Sequence, residues 1–169
     1  MSEPTILIAG IGNIFLGDDA FGCAVLKELN KREWPANVKV IDFGIRGFDL
    51  TYALLNGCDL AILVDATPRG GEPGTVYTIE PDLDELAQLE ESVMAVETHG
   101  MNPLKVLTMV KSMGGQLQDV LLVGCEPETF GPEEGLMGLS AAVQAAVPEA
   151  VRVVESIVSS RLHKVEMTT

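Results

Sequence analysis

The 169-residue sequence has little positive charge, few aromatic side chains and no long apolar run. Lys and Arg number 11 against 25 Asp and Glu, the formal net charge is −14, and aromatic residues make up 5%. Nucleic acids and anionic membrane surfaces are bound mainly through Lys and Arg, so this composition argues against both as partners. No apolar stretch approaches the roughly 18 residues of a membrane span, so we expect no transmembrane segment either.

Cysteine is also scarce, and its pattern excludes a disulfide framework. Cys23, Cys58 and Cys125 are odd in number, far apart and without a CxxC pair. They are typical of buried free thiols in a reducing compartment. The amino terminus enters an apolar run without the pattern of a signal peptide. We therefore expect a soluble cytoplasmic protein with one domain over residues 1–169 and favour a monomer.

Several patterns of known catalytic and nucleotide sites are missing as well. There is no HExxH motif and no Gly-x-Ser-x-Gly nucleophile elbow. The glycine-bearing loop at residues 10–22 is not followed by Gly-Lys-Ser/Thr, so it is not a P-loop. Its first two glycines resemble a dinucleotide fingerprint, but Phe15 occupies the place of the third. Asp18 and Asp19, at the start of the next helix, would also repel a phosphate.

Apolar runs and helical patterns alternate along the chain. Five runs predict β-strands, at residues 6–9, 38–43, 60–66, 75–79 and 120–125. Helical patterns cover residues 20–29, 50–55, 102–113 and 140–163, the last broken or kinked at Pro148. The acidic stretch 81–95 is ambiguous. The alternation predicts a three-layer α/β/α sandwich with a mostly parallel, twisted five-stranded sheet. No helix precedes the fourth strand, which is therefore expected to run antiparallel near an edge.

Three side chains near predicted strand ends form a candidate site. Asp19 follows the first strand, Asp65 ends the third, and His99 lies in a loop before a helix. If the sheet reverses direction between the second and third strands, both carboxylates meet at the switch point, with the imidazole above them. Two carboxylates and one imidazole suit a divalent metal such as nickel or zinc. The alternative is structural, because such an Asp is often a loop cap and a lone His rarely a ligand. The adjacent Asp18 is predicted to be the helix N-cap.

Six separate short motifs occur along the chain. They are Gly-Ile-Gly-Asn at 10–13, Gly-Asp-Asp-Ala-Phe-Gly at 17–22, Asp-Phe-Gly-Ile-Arg-Gly at 42–47, Leu-Val-Asp-Ala at 63–66, Thr-His at 98–99 and Val-Gly-Cys-Glu-Pro at 123–127. In these motifs the chain resembles the nickel–iron hydrogenase maturation endopeptidases, over nearly its whole length. The resemblance implies a five-stranded mixed sheet between helices, with strand four antiparallel. It also implies an enzyme that removes a C-terminal extension from the hydrogenase large-subunit precursor after nickel insertion.

The resemblance further implies roles for individual residues. The catalytic and metal-contacting positions of the family correspond to Asp19, Asp65 and His99, and the first of these is often Glu in the family. The segment implicated in choosing the substrate corresponds to Asp42, Phe43, Gly44, Ile45, Arg46 and Gly47, where members often have Asp-Gly-Gly-Thr. The implied metal is nickel already held by the precursor, or another divalent metal in the isolated protein.

Three other functions remain open from the residues alone. A different α/β metallopeptidase or amidohydrolase would hold its own ion and cleave generic peptides. A nucleotide-binding module would use Asp42 for a ribose, although Phe15 and the acids at the helix start argue against it. A non-catalytic scaffold would only bind the large subunit and would tolerate Asp65→Ala. Within a maturation protease, either a Lewis-acidic metal or a carboxylate base could promote attack by water, and the sequence does not choose between them.

Overall fold

A computed structural model describes residues 3–84 and 101–168. Within these residues, the strands are β1 (Ile6–Ile11), β2 (Val38–Gly44), β3 (Leu60–Ala66), β4 (Val76–Ile79) and β5 (Asp119–Cys125). The α-helices are α1 (Phe21–Leu29), α2 (Gly47–Leu55), α3 (Pro103–Ser112) and α4 (Ala141–Thr168), and a 3₁₀ helix, Gly17–Ala20, precedes α1. Most of the ambiguous stretch 81–95 and the loop with His99 lie outside the described residues.

The strands form a five-stranded sheet in the order β2-β1-β3-β5-β4. β4 pairs antiparallel with β5 at one edge, and the other pairs are parallel, which confirms the predicted sheet. β1 lies between β2 and β3, so the direction in which strands are added reverses after β2. The carboxyl ends of β1 and β3 consequently lie side by side at a topological switch point, where α/β proteins bind ligands.

Two apolar layers cover the faces of the sheet. Ile6 and Ile8 of β1 pack in a cluster with residues of α1 and α4. The alternate residues Leu7 and Ala9 belong to a second cluster with residues of α2 and α3. This alternation follows from the two-residue period of a strand, and both faces of β1 and β3 are buried. The predicted three-layer α/β/α architecture is therefore confirmed.

The helix boundaries confirm one sequence prediction and correct another. Asn102 caps α3, because its side-chain oxygen accepts a hydrogen bond from the Leu104 N–H at 2.9 Å, and Pro103 follows in the first turn. Of the predicted break or kink at Pro148, the break is wrong, because α4 continues through this residue to Thr168; the kink stays a prediction. Proline removes one backbone bond, but the neighbouring buried side chains hold the helix against the sheet. In the part of the chain that the structure describes, no helix is both long and apolar enough to cross a membrane.

Candidate active site

The candidate active site lies at the carboxyl ends of β1 and β3. Asp65 is the penultimate residue of β3, and Asp19 lies in the 3₁₀ helix that follows β1. The two carboxylates are close enough for the charge of Asp19 to raise the pKa of Asp65. The structure thus brings two of the three predicted side chains together, whereas His99 lies outside the described residues.

Asp65 is a buried carboxylate with unused bonding capacity. Asp65 is only 6% exposed, and its Oδ1 has no hydrogen-bond donor among the described residues. Burial and then the charge of Asp19 raise the pKa of Asp65 well above its usual range, although a hydrogen bond from the Ala66 backbone opposes this. A buried oxygen without a donor is costly unless a cation or a proton neutralises it. Asp65 therefore has the character of a ligand-binding group.

The loop after β1 fixes the orientation of Asp19. The Asn13 N–H donates a hydrogen bond to Asp19 Oδ2 at 2.9 Å, so the carboxylate folds back onto its own loop. Burial raises the pKa of Asp19, and the bond from Asn13 lowers it. Gly12 allows this close turn, because a Cβ at that position would overlap the backbone oxygen of Asp19. The side chain is half-buried and accessible to an incoming ligand.

The first turn of α1 lies directly against the ends of both strands because position 22 is glycine. A Cβ on Gly22 would overlap the carbonyl oxygens of Ile11 in β1 and Val64 in β3. In a dinucleotide fingerprint the glycine that permits this packing would stand at the position of Phe15. Here the contact is made seven residues later, after a longer loop that carries two acids. The helix therefore packs closely on the strand ends, as in a dinucleotide-binding fold, but through a glycine at a different position in the loop.

Asp18 has a different role from the predicted N-cap, and that interpretation is wrong. Its side chain caps no helix and is completely buried. It accepts hydrogen bonds from the backbone N–H groups of Glu128 (2.7 Å), Thr129 (3.1 Å) and Ser140 (2.7 Å) and from the Ser140 hydroxyl (2.9 Å). These donors lie more than 100 residues away, so no local pattern could reveal them. Asp18 ties the segment 126–140, named the tethered loop below, to the site.

A thiol that the sequence analysis did not place at the site lies among its carboxylates. Cys23 is half-buried, and its Sγ donates to the Gly12 carbonyl at 3.5 Å. Burial and then the charge of Asp42 raise the pKa of Cys23 to about 12, with smaller effects from Asp19 and Asp65. The thiol therefore stays protonated near neutral pH and is a poor nucleophile. Its position four residues after Asp19, one helical turn further on, is the signal that could have indicated this proximity.

The predicted burial of the cysteines is only partly correct. Cys125 is buried, whereas Cys23 and Cys58 are half-buried, and all three are free thiols. Burial and then the charge of Asp59 raise the pKa of Cys58, and burial raises that of Cys125 to about 11. The predicted free state is confirmed, and a raised pKa lowers the thiolate fraction of each thiol.

The segment 42–47 forms one wall beside the site and is shaped by Arg46. The guanidinium donates to the backbone oxygens of Asp42 (2.7 Å) and Phe43 (3.2 Å) and pairs with Asp49 at 3.2 Å. Phe43 is buried in the core, whereas Ile45 is 58% exposed. Of the residues predicted to bind substrate, the exposed ones are thus available for contact, and Phe43 supports them from below.

The site is negatively charged, and among the described residues it offers a cation two carboxylate side chains as ligands. Within residues 3–84 and 101–168, no three His, Cys, Asp or Glu side chains are grouped so as to hold a metal ion. Asp19 and Asp65 can supply carboxylate oxygens, which suit hard and borderline divalent ions. A carboxylate with a raised pKa can also accept a proton near neutral pH. The arrangement is therefore chemically able to contact a cation and to act as a general base.

Comparison with known proteins gives consistent matches. A family model described as hydrogenase maturation protease matches residues 23–157. A Methanocaldococcus jannaschii protein that carries the name hydrogenase maturation protease is 35% identical over 158 residues, or 91% of this chain and 96% of the relative. The solved structure of the hydrogenase maturating endopeptidase HybD from Escherichia coli is 28% identical, with a TM-score of 0.71, over 92% of this chain and 93% of that one. The hydrogenase maturation protease HycI from Thermococcus kodakarensis is 29% identical, with a TM-score of 0.68, over 96% and 94%.

Proposed function

Because the chain belongs to the hydrogenase maturation protease family and is an endopeptidase, we propose that it removes the C-terminal extension of a nickel–iron hydrogenase large-subunit precursor after nickel insertion. The observation that carries this proposal is the buried Oδ1 of Asp65, which lies near Asp19 and has no hydrogen-bond partner among residues 3–84 and 101–168. Two carboxylates that lie at the switch point of the sheet offer a binding site for a cation that arrives with the substrate.

In this proposal the nickel ion belongs to the substrate, and the enzyme contacts it through Asp19, Asp65 and His99. The described residues provide two carboxylates, so most of the ion's ligands have to come from elsewhere. A nickel ion already held by the precursor brings such ligands with it. The burial that raises the pKa of Asp65 also makes approach of a cation favourable, because the cation neutralises a buried negative charge.

The carboxylates have a second task in the hydrolysis itself. Peptide hydrolysis requires a water molecule to lose a proton as it attacks the carbonyl carbon, and a nearby carboxylate can accept that proton. A carboxylate that contacts the ion through one oxygen keeps a second oxygen that can accept this proton. Contact with the ion places the end of the precursor next to this base, so recognition and cleavage are linked.

The test is cleavage of a large-subunit precursor, prepared with and without nickel. The proteins are the wild type, Asp19→Ala, Asp65→Ala and His99→Ala, with Asp84→Ala as the control because Asp84 is an exposed carboxylate at a turn. We expect shortening of the nickel-loaded precursor by the wild type and the control alone, followed by mass spectrometry. Equal cleavage of the nickel-free precursor would refute recognition of the substrate's ion. Full activity of Asp65→Ala would refute the catalytic role of the carboxylates.

A further inference from the structure

An apolar groove of about 580 Å³ opens beside the candidate active site. It lies between the loop after β1, the start of α2 and the first turns of α3. Most of its lining is apolar and comprises Leu16, Ile45, Phe48, Met101, Val106 and Met109. Asn13 also lines the groove, and its N–H binds the Asp19 carboxylate at 2.9 Å. The groove is therefore continuous with the site through one residue.

Two of the apolar side chains that line the groove are largely exposed. Phe48 is 69% exposed and Ile45 is 58% exposed, although both are large apolar residues. Clustered apolar side chains in a surface depression are typical of sites that bind another molecule. Two methionines add flexible surface that adapts to the shape of an apolar partner. The groove is thus suited to a bulky apolar side chain rather than to a polar one.

Lys105 gives the groove a definite electrostatic preference. It is the only charged residue among those that line the groove, and among the described residues it has no carboxylate partner. The whole chain carries a net charge of −14, so a lone ammonium group at this place stands out against its surroundings. A cation that has no carboxylate partner among the described residues and lies beside an apolar surface favours a ligand with both an apolar group and a carboxylate. A second copy of this acidic chain is a poorer match, because the two copies repel each other.

We propose that this groove binds the C-terminal extension of the precursor, an inference that rests on the proposed function. The extension would place a bulky apolar side chain among Ile45, Phe48 and Met109, and a nearby carboxylate against Lys105. A peptide bond held at Asp19 and Asp65 must continue onto an adjoining surface, and the groove adjoins the site through Asn13. The groove residues then determine which extension is accepted, while the carboxylates act on the bond.

The first experiment compares kcat and KM for a nickel-loaded precursor. The groove variants are Phe48→Ala and Lys105→Glu. The matched controls are Tyr52→Ala, an exposed aromatic residue on the same helix outside the groove, and Arg152→Glu, an exposed cation on α4. We expect both groove variants to raise KM about tenfold with kcat within about twofold, and the controls to match the wild type. Because all four positions are exposed, the variants should keep the wild-type thermal unfolding curve.

The second experiment measures binding of a fluorescently labelled synthetic peptide of the extension by anisotropy. We expect the peptide to bind the wild type and both controls and to bind the groove variants about tenfold more weakly. A precursor whose extension carries Lys at the position of the proposed carboxylate should be cleaved better by Lys105→Glu than by the wild type. This exchange of charges tests the pairing directly, because a general loss of structure could not produce it.

The outcomes separate the groove from the proposed function. Unchanged KM for both groove variants, with normal cleavage by the wild type, overturns the groove and leaves the protease proposal intact. Peptide binding that depends on Phe48 and Lys105, without cleavage by the wild type, supports the groove and overturns the protease proposal. A dimer that Phe48→Ala dissociates, seen by size-exclusion chromatography with light scattering, assigns the groove to a second copy and also overturns the inference.

Discussion

Asp65 is the residue that most clearly lowers the stability of the fold, because its charge is buried. Its Oδ1 receives no hydrogen bond from the residues that the structure describes, and a second carboxylate, Asp19, lies close by. Both features oppose ionisation, and neither helps the protein to fold. Residues that lower stability in this way are expected where a protein binds or converts a ligand. The isolated enzyme is therefore less stable than its core alone would make it.

Replacement of Asp65 by Asn should remove this cost together with the activity. Asn has the same shape without the charge, so we expect Asp65→Asn to raise the free energy of unfolding at pH 8 by about 1 to 3 kcal/mol. Cleavage should be lost at the same time. Urea denaturation, monitored by circular dichroism, measures the change in stability. The exposed-site variant Asp84→Asn should unfold like the wild type, and a destabilised Asp65→Asn would contradict the expected cost of the charge.

The same substitution should show a characteristic dependence on pH. The folded-state pKa of Asp65 lies above the value of about 3.9 expected in the unfolded chain. Its contribution to stability is therefore fully present below about pH 3.9 and is lost as the pH rises through the folded-state pKa. The difference in Tm between Asp65→Asn and the wild type should thus be small near pH 4 and grow towards pH 8. A difference that stays constant over this range would rule out ionisation of Asp65 as its cause.

Among the elements, the tethered loop, residues 126–140, depends most on a single side chain. Asp18 accepts four hydrogen bonds from this segment, and backbone bonds between Gly17 and Leu136 and between Leu136 and Phe15 add to them. The loop contains no helix or strand. Its backbone N–H groups therefore form hydrogen bonds with Asp18 and the loop after β1 instead of with a neighbouring strand. Asp18 thereby couples a distant segment to the residue next to it, Asp19.

Substitution of Asp18 should loosen the tethered loop selectively. Asp18→Ala leaves buried N–H groups without an acceptor, so we expect a loss of about 3 kcal/mol or more in unfolding free energy. Hydrogen exchange followed by mass spectrometry should show faster exchange at residues 128–140 than in the wild type. Asp84→Ala provides the control, because its side chain is exposed. Unchanged exchange at these residues would show that the loop is held by other contacts.

The strands themselves could be predicted from their hydrophobic pattern, and the antiparallel edge position of the fourth strand from the missing helix before it, whereas the full strand order was not predicted. β3 is apolar throughout, as a strand covered on both faces must be, and its neighbour follows from the reversal at the switch point. The bonds of Asp18 could not be predicted, because their donors lie in a segment with no pattern. The continuity of α4 through Pro148 was missed because tertiary packing, which the sequence does not display, outweighs the local cost.

At the scale of the whole molecule, acidity and exposed apolar surface oppose each other. The net charge of −14 keeps copies of the chain apart near neutral pH, while large apolar side chains such as Phe15, Phe48 and Met137 are exposed. The sequence pI is about 4.4, so this repulsion disappears as the pH falls towards that value. Electrostatic repulsion therefore opposes self-association through the exposed apolar surface, which stays accessible to a binding partner.

Self-association should accordingly increase as the pH approaches the pI. We expect monodisperse protein at pH 8 and rising light scattering near pH 4.4. Phe48→Ala should scatter less than the wild type at pH 4.4, because it removes exposed apolar surface, whereas the buried-site substitution Leu50→Val should have no such effect. Equal scattering by wild type and Phe48→Ala would show that other surfaces cause the association.

The bonds of Asp18 also have a consequence for when the enzyme becomes competent during its synthesis. The loop that carries Asp18 and Asp19 is made early, but its hydrogen-bond donors are Glu128, Thr129 and Ser140. A nascent chain in which these residues have not yet been synthesised cannot form the hydrogen bonds that hold the loop. The loop that contains Asp19 therefore acquires its full set of hydrogen bonds only after residue 140 has been synthesised.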